Sequence, residues 1–315
     1  MGSGRTGPGQ GGKFGVKRRE GTRWRLMPFL AASTILLAGL ASCAKQPPPE
    51  KPLLRTTKAF DEIFGELPQL PLPAAAYATV AYFPSSLEPG KFRPVPIFSV
   101  EPGKEEELVV RTVIRGIGTE EGPANALLAE IVHPFPDGSD LSSLTDDGGK
   151  AKVEVGGSFR AESLSGAQKE KAARALALTV SQFGKAETVE VTDDSGKVTF
   201  GAEARSAEVV DIGSPKILGL LAVREEEGKP PGVLSVLFDR PVFVEDAAFL
   251  DAGGGASYPG KVYSTGFGMS LEFHPGEKIA FDPEREYRVR LTVRDGKGRK
   301  ASVEQEWRPK TATRH

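Results

Sequence analysis

One cysteine, three histidines and two tryptophans in 315 residues leave little room for several kinds of chemistry. The single Cys43 excludes an internal disulfide framework and a Cys-rich zinc site, and His133, His274 and His315 are too few for most metal or nucleophile chemistry. No G-x-S-x-G, H-E-x-x-H or G-x-x-x-x-G-K-S/T pattern occurs, and neither a metal nor another cofactor is expected. Apolar residues make up 39% and charged residues 26%, a balance that excludes a polytopic membrane protein, a coiled coil and a wholly disordered chain. The 37 Gly and 25 Pro point to a loop-rich protein of short elements, long enough for two folded domains or three small ones. Positive charge is also scarce outside the N-terminus. Residues 1–42 hold 7 of the 41 Lys and Arg and 1 of the 42 acids, so from Cys43 onward 34 basic residues face 41 acidic ones, a net charge of −7. A body of that sign is poorly suited to neutralising phosphates, and nucleic acid is not an expected partner.

What is present begins with an export signal. Lys17, Arg18, Arg19, Arg23 and Arg25 precede an uncharged stretch, Leu26 to Ala44, with an apolar run from Phe29 to Ala38. It ends in Leu40-Ala41-Ser42-Cys43, which resembles the bacterial lipobox, where small residues precede a Cys that becomes lipidated and then the mature N-terminus. The competing reading is an ordinary signal anchor with a chance Cys. Lipidation at Cys43 implies a chain held at the cell membrane on its extracytoplasmic face, without a spanning segment. Gly7, Gly9 and Gly12 formally match G-x-G-x-x-G, but no strand precedes them and no nucleotide fold follows. Translation is expected to start near Val16, which leaves a short basic leader.

Residues 43–76 contain seven prolines and one short helical pattern around Lys58–Phe64, and are expected to form a semi-rigid tether. Residues 77–201 follow as a first domain. Strands are expected at 77–83, at 95–100 on a sheet edge because of Pro96, at 107–114 and near 152–155. A helix is expected from Pro123 to Val132, and a second one opens with Ser165-Gly166-Ala167-Gln168 in the form of a capping box and closes at Gly184. Strands 187–192 and 197–200 form a hairpin, and two helices on one face of a mixed sheet is the economical arrangement. Residues 202–214 read as a linker. Residues 215–311 read as short strands, at 216–223, 232–238, 269–273, 287–293 and 302–307, suggesting a small β-sandwich, with 312–315 as a tail.

Ala124-Asn125-Ala126-Leu127-Leu128-Ala129, Leu141–Leu144, Val153–Phe159, Ala175–Phe183 and Val189–Val191, with Tyr82-Phe83-Pro84 at the opening, are similar to the GerMN domain of spore germination and sporulation lipoproteins. The resemblance covers about residues 77–201 and rests on hydrophobic patterns, not catalytic signatures. His133-Pro134, with a longer polar insertion to Asp140, replaces the Gly-Pro usual after the family's first helix. The resemblance implies an α+β fold, a role in assembly and no active site. Val236–Val242, Phe281-Asp282-Pro283 before Tyr287, and Val293–Gly298 resemble a bacterial Ig-like domain of the surface-layer type, which implies an all-β sandwich serving as spacer or platform.

Other candidates weaken on inspection. Gly116-Ile117-Gly118-Thr119-Glu120-Glu121-Gly122 has G-x-G-x-x-x-G spacing, one residue too long for a dinucleotide turn. Glu105–Glu107 and Glu225–Glu227 lack the Asp, Asn and Gly spacing of a calcium loop and read as solvated faces. His133 and His274 each precede a proline in different expected domains, as turn residues do. The leading expectation is a non-enzymatic envelope lipoprotein docking on proteins or on itself through exposed strand edges. A peptidoglycan or surface-glycan binder, using Trp307, Tyr258 or Tyr263, and a cell-wall hydrolase with two convergent carboxylates are the alternatives.

Overall fold

The fold begins with a short strand, β1 (Leu54–Thr56), and a helix, α1 (Lys58–Ile63). Thr57 starts the helix because its hydroxyl accepts from the Phe60 amide, satisfying one of the free amides of a first turn. In the computed structural model the described residues are 54–68, 75–117, 125–184, 186–224, 226, 228–252, 257–276 and 281–313, all within the compact unit Glu50–His315. The expected signal peptide, the start near Val16 and Cys43 lie outside the described residues.

β1 pairs in parallel with β2 (Ala76–Pro84), and Phe60 and Phe64 of the α1 segment are buried in the core, 0% and 2% exposed. Residues 54–68, read from their prolines as tether, are therefore built into the globular body. The helix-spaced apolar residues decide this, because the core covers them. β2 runs antiparallel to β3 (Phe92–Ser99), which stands at the sheet edge as Pro96 implied. Pro94 and Pro96 have no N–H to offer there.

The segment expected as a strand at 107–114 is a helix, α2 (Glu105–Arg115). Its buried residues, Val109, Val110, Val113 and Ile114, follow helical spacing, and that burial outweighs the strand preference of β-branched side chains. Glu105 to Glu107 sit in its first turn, where acids complement the helix dipole, and Gly116 (φ 82°) ends it. The helix expected over 123–132 is only one turn, α3 (Asn125–Leu128). Residues beyond it are drawn onto the end of β2 instead. Val132 donates to the Pro84 carbonyl, Ser86 donates to the Glu130 carbonyl, and Ile131 bridges Ser85.

A second sheet has the order β4 (Ser139–Asp146), β5 (Lys150–Gly157), β6 (Thr188–Asp193), β7 (Thr199–Glu203), with only β5 and β6 parallel. Their crossover carries α4 (Gly166–Ser181). The capping box is complete: Gln168 N–H donates to the Ser165 hydroxyl, and Ser165 N–H donates to the Gln168 carboxamide. Ala172, Ala173 and the run from Ala175 to Val180 are buried, so the helix is enclosed on nearly every side. It packs against β2 of the first sheet and against β6 and β7 of the second, and touches α2. The first half is thus two sheets and two long helices around one core, where a single mixed sheet with both helices on one face was expected.

The supposed linker is also packed. Val210 donates to the Phe92 carbonyl, and Ile212 is 5% exposed within the same core. Beyond it lie β8 (Ile217–Arg224), β9 (Val233–Phe238), β10 (Phe243–Asp251), β11 (Gly260–Thr265), β12 (Ser270–Pro275), β13 (Tyr287–Arg294), β14 (Lys300–Trp307) and β15 (Lys310–Thr313). They form one sheet ordered β11-β12-β9-β8-β15 and one ordered β10-β13-β14. Both sheets contribute to a second core, with Leu234, Leu271 and Phe273 from one and Phe249, Val289 and Leu291 from the other. Tyr287, 2% exposed at the start of β13, accepts through its hydroxyl from the Asp282 amide at 2.8 Å. The mixed α/β character and the many strands match expectation, while β10, β11 and β15 were not anticipated.

Candidate functional site

Two places concentrate polar groups: a seam joining the halves, and a cleft on the first half. At the seam, β3 places Arg93 beside Asp239, which follows β9. The Arg93 Nη2 donates to Asp239 Oδ2 at 3.0 Å, and Arg93 Nη1 lies 3.1 Å from Glu130 Oε2. Asp239 also accepts from Arg240, at 3.1 Å from Nε and 2.8 Å from Nη2, and from the Lys216 amide at 2.9 Å. Arg240 is fully buried. Its other donors go to the Ile212 and Gly213 carbonyls at 2.7 and 2.9 Å and to Asp295 at 3.4 Å. Buried charges are tolerated only when paired and hydrogen-bonded in this way.

The same seam holds the α1 segment. Arg299, which donates to Asp295 at 2.6 Å, also donates to the Ile63 carbonyl at 2.7 Å. Gly65 and Gly296 pair backbone to backbone. A Cβ on Gly296 would come within 2.1 Å of the Glu66 carbonyl oxygen, so only glycine fits. Phe98 of β3 stacks on Phe267 of the β11–β12 turn at 4.4 Å and 1°, although Phe267 must adopt φ 59° to do so. Most of the seam's donors and acceptors are committed to one another, while the buried Arg93 Nε has no hydrogen-bond partner among the described residues.

The cleft, about 840 Å³, is framed by α1, the C-terminal end of α4, β7 and the residues after it. Gln182 forms its inner edge and is fully used. Its carboxamide accepts from Thr57 and the Val80 amide, both at 2.9 Å, and donates to the Val80 and Thr179 carbonyls. The side chain thus stands in for a missing strand beside β2. Tyr82 lines the same cleft and is 4% exposed. Burial, with Glu62 adding to it, pushes its pKa well above the usual phenol value. Leu178, Phe183, Ala59, Ala204 and Val209 supply apolar wall. Glu62, Glu187 and Glu203 also line it, with Lys58, whose ammonium lies 3.5 Å from the Glu62 carboxylate.

The candidates read from the sequence are dispersed. Glu105 accepts from the Gly103 amide and Glu107 pairs with Arg111 at 2.7 Å, as at an ordinary solvated helix start. Glu226 pairs with Lys229, while Glu225 and Glu227 lie outside the described residues. Gly116 follows a helix, so the Gly116–Gly122 turn lacks the strand a phosphate-binding turn needs, and residues 118–122 are not described. The His133 ring lies against Gly116, whereas His274 pairs with Glu272 at 3.1 Å in the other half. Tyr258 and Trp307 pack on the second core; Tyr263 is 48% exposed, edge-on to His274. Among the described residues no group of three or more His, Cys, Asp or Glu is arranged to hold a metal ion, and no helix is long and apolar enough to cross a membrane. Sequence reasoning missed both the seam and the cleft. Asp239-Arg240-Pro241 carried one signal, an acid and a base within an apolar strand end.

No protein-family model matches this chain, and no curated protein matches it. Among solved structures, it is similar to the tandem GerMN domains of the sporulation protein GerM from Bacillus subtilis, at 12% identity and a TM-score of 0.32, over 52% of this chain and 59% of that one. The chain therefore spans about three fifths of that structure. A Clostridium perfringens chain described as a lipoprotein is similar at 12% identity and a TM-score of 0.24, over 39% of this chain and 78% of that one.

Proposed function

We propose that this chain is a membrane-anchored envelope lipoprotein that acts as a non-enzymatic assembly or adaptor module, lipidated at Cys43 on the extracytoplasmic face. Its first half is read as GerMN-like, with a place in sporulation, germination or another envelope complex, and its second half as an Ig-type platform. The Ig-type reading is supported by strand order. β8, β9, β12 and β11 neighbour one another as strands A, B, E and D do, and β10, β13 and β14 as C, F and G do. The Tyr287 hydroxyl bonded to backbone five residues upstream is a further feature of that class.

The observation that carries the adaptor reading is the seam. Leu54 follows Cys43 by eleven residues in the sequence, and the segment it opens is bonded to both halves. An anchored chain so built presents two different domains as one oriented body, as an adaptor requires. The test is in-cell cross-linking of the tagged protein followed by mass spectrometry, with Cys43→Ala as the mislocalised control. Cys43-dependent cross-links to envelope proteins or to other copies are expected. Recovery with wall material and without any protein partner would refute the adaptor reading in favour of glycan binding or hydrolysis.

A further inference from the structure

An unpaired strand at a sheet edge offers its free amides and carbonyls to another chain, and folds guard against this with short, bulged or proline-bearing edges. All but one of the edges described above are guarded. β1, β15 and β7 have only three, four and five residues, and β3 carries Pro94 and Pro96. β4 and β10 are bulged, between Leu141 and Ser143 and between Val244 and Asp246, and β11 opens at Gly260 and lies against β10. β14 is different. It has eight residues with neither Pro nor Gly, pairs with β13 in unbroken register, and has no strand on its other side among the described residues.

The hairpin shows which of its groups are free. The Asp295 amide donates to the Arg299 carbonyl at 3.0 Å, so these two residues form a bonded pair at the turn. Alternation along an antiparallel ladder then turns the backbone of Ala301, Val303 and Gln305 toward β13 and that of Lys300, Ser302, Glu304 and Glu306 outward. The side chains of the outward four are exposed. If β14 is laid antiparallel to a copy of itself with Val303 opposite Val303, Lys300 faces Glu306, Ser302 faces Glu304, and no like charges oppose. A slip of two residues one way sets Glu304 against Glu304, and the other way sets Glu306 against Gly298, beyond the strand end. Lys300 and Glu306 are 60% and 41% exposed in their pairs with Glu245 and Arg288, so both can also reach across. We propose that two copies of this chain join edge to edge through β14, about a two-fold axis at Val303, forming one continuous sheet ordered β10-β13-β14-β14-β13-β10. The surface lies in the second half and needs no lipid, so this inference does not rest on the anchor or on the adaptor reading.

The test uses the full chain carrying Cys43→Ala, in detergent micelles, so that one introduced cysteine is the only thiol. Residues opposed in a non-bonded pair have Cα atoms about 4.5 Å apart, inside the roughly 4.4–6.8 Å that a disulfide spans. Under mild oxidation Val303→Cys is expected to give a disulfide dimer about tenfold or more faster than Ala301→Cys or Gln305→Cys, whose copies would lie roughly 13 Å apart along the strands. Ser302→Pro removes an outward amide that β13 does not use, and should abolish the Val303→Cys dimer with the thermal midpoint nearly unchanged. Lys300→Glu should slow the same cross-link severalfold, and adding Glu306→Lys should restore it. No dimer from a folded Val303→Cys chain, or equal cross-linking at 301, 303 and 305 as random encounter in a micelle would give, overturns the proposal. A cross-link that survives Ser302→Pro overturns the strand pairing, and a double reversal that fails to restore the rate overturns the register.

Discussion

Replacing Asp239 by Asn tests whether the seam makes the two halves one folding unit. The carboxylate is 1% exposed and receives four hydrogen bonds, two from Arg240, one from Arg93 and one from the Lys216 amide. Asn keeps the shape but carries no charge and has one accepting oxygen, so about half of these bonds are lost, Arg93 keeps only Glu130 as its acid and Arg240 only the more distant Asp295. Breaking a buried ion pair from one side costs about 3–5 kcal/mol. For a body of this size that corresponds to a fall in Tm of roughly 6–20 °C. The sequence supplies a convenient probe, since in a form processed at Cys43 Trp307 is the only tryptophan and it lies in the second half. Helical circular dichroism reports α4 in the first half. Under urea, both transitions are expected to move to lower denaturant together in Asp239→Asn. A surface control, Lys104→Ala, removes an exposed pair with Glu101 and should change stability by less than about 0.5 kcal/mol. A Trp307 transition that shifts while the helical signal stays in place would refute the argument, because the halves would then unfold independently.

Three smaller tests address the first half. Ser165→Ala removes half of the α4 capping box and should cost about 1 kcal/mol in urea unfolding with an unchanged m-value. Gln182→Ala strips the side chain that satisfies the Val80 amide and carbonyl. It should cost about 2–4 kcal/mol, since several groups lose partners, and hydrogen exchange at Val80 should quicken. Asp193 accepts from the Ser195 hydroxyl and the Ser195 and Ala161 amides, and these bonds hold its pKa below the ordinary carboxylate value. Its stabilising contribution is therefore present above about pH 4, the unfolded value, and lost as pH falls through the lower folded value. The stability gap between wild type and Asp193→Asn should shrink when urea titrations are moved from pH 5 to pH 3. A gap that grows would contradict that direction.

Much of the local structure was legible in the residues. The capping box at Ser165, the edge position of Pro96, the hairpin after Glu187 and the paired strands β13 and β14 all follow from patterns a few residues long. Where two local signals competed, sequence alone chose wrongly. In α2 the β-branched composition suggested a strand, yet the apolar positions 109, 110, 113 and 114 carried the helical period that burial selected. In α3 the period was helical, but Glu130 and Ile131 were claimed by Arg93 and Ser85, partners 37 and 46 positions away. The prolines around residues 47–73 suggested a spacer, and Phe60 and Phe64 were the overlooked sign that the chain enters a core there.

The sequence by itself determined the acidic character of the body, the α-then-β order of its halves and the scarcity of Cys and His, and it alone carries the expectation of an export signal with lipidation at Cys43. These depend on composition and on short-range spacing. Only the tertiary structure decided that the first half holds two sheets instead of one, that Arg93, Asp239, Arg240 and Asp295 meet, and that Tyr82 and Gln182 line one cleft. Each of those depends on contacts between residues tens to hundreds of positions apart, where an aspartate in a strand turn and an arginine on a distant edge look like ordinary surface residues until the fold removes the water around them.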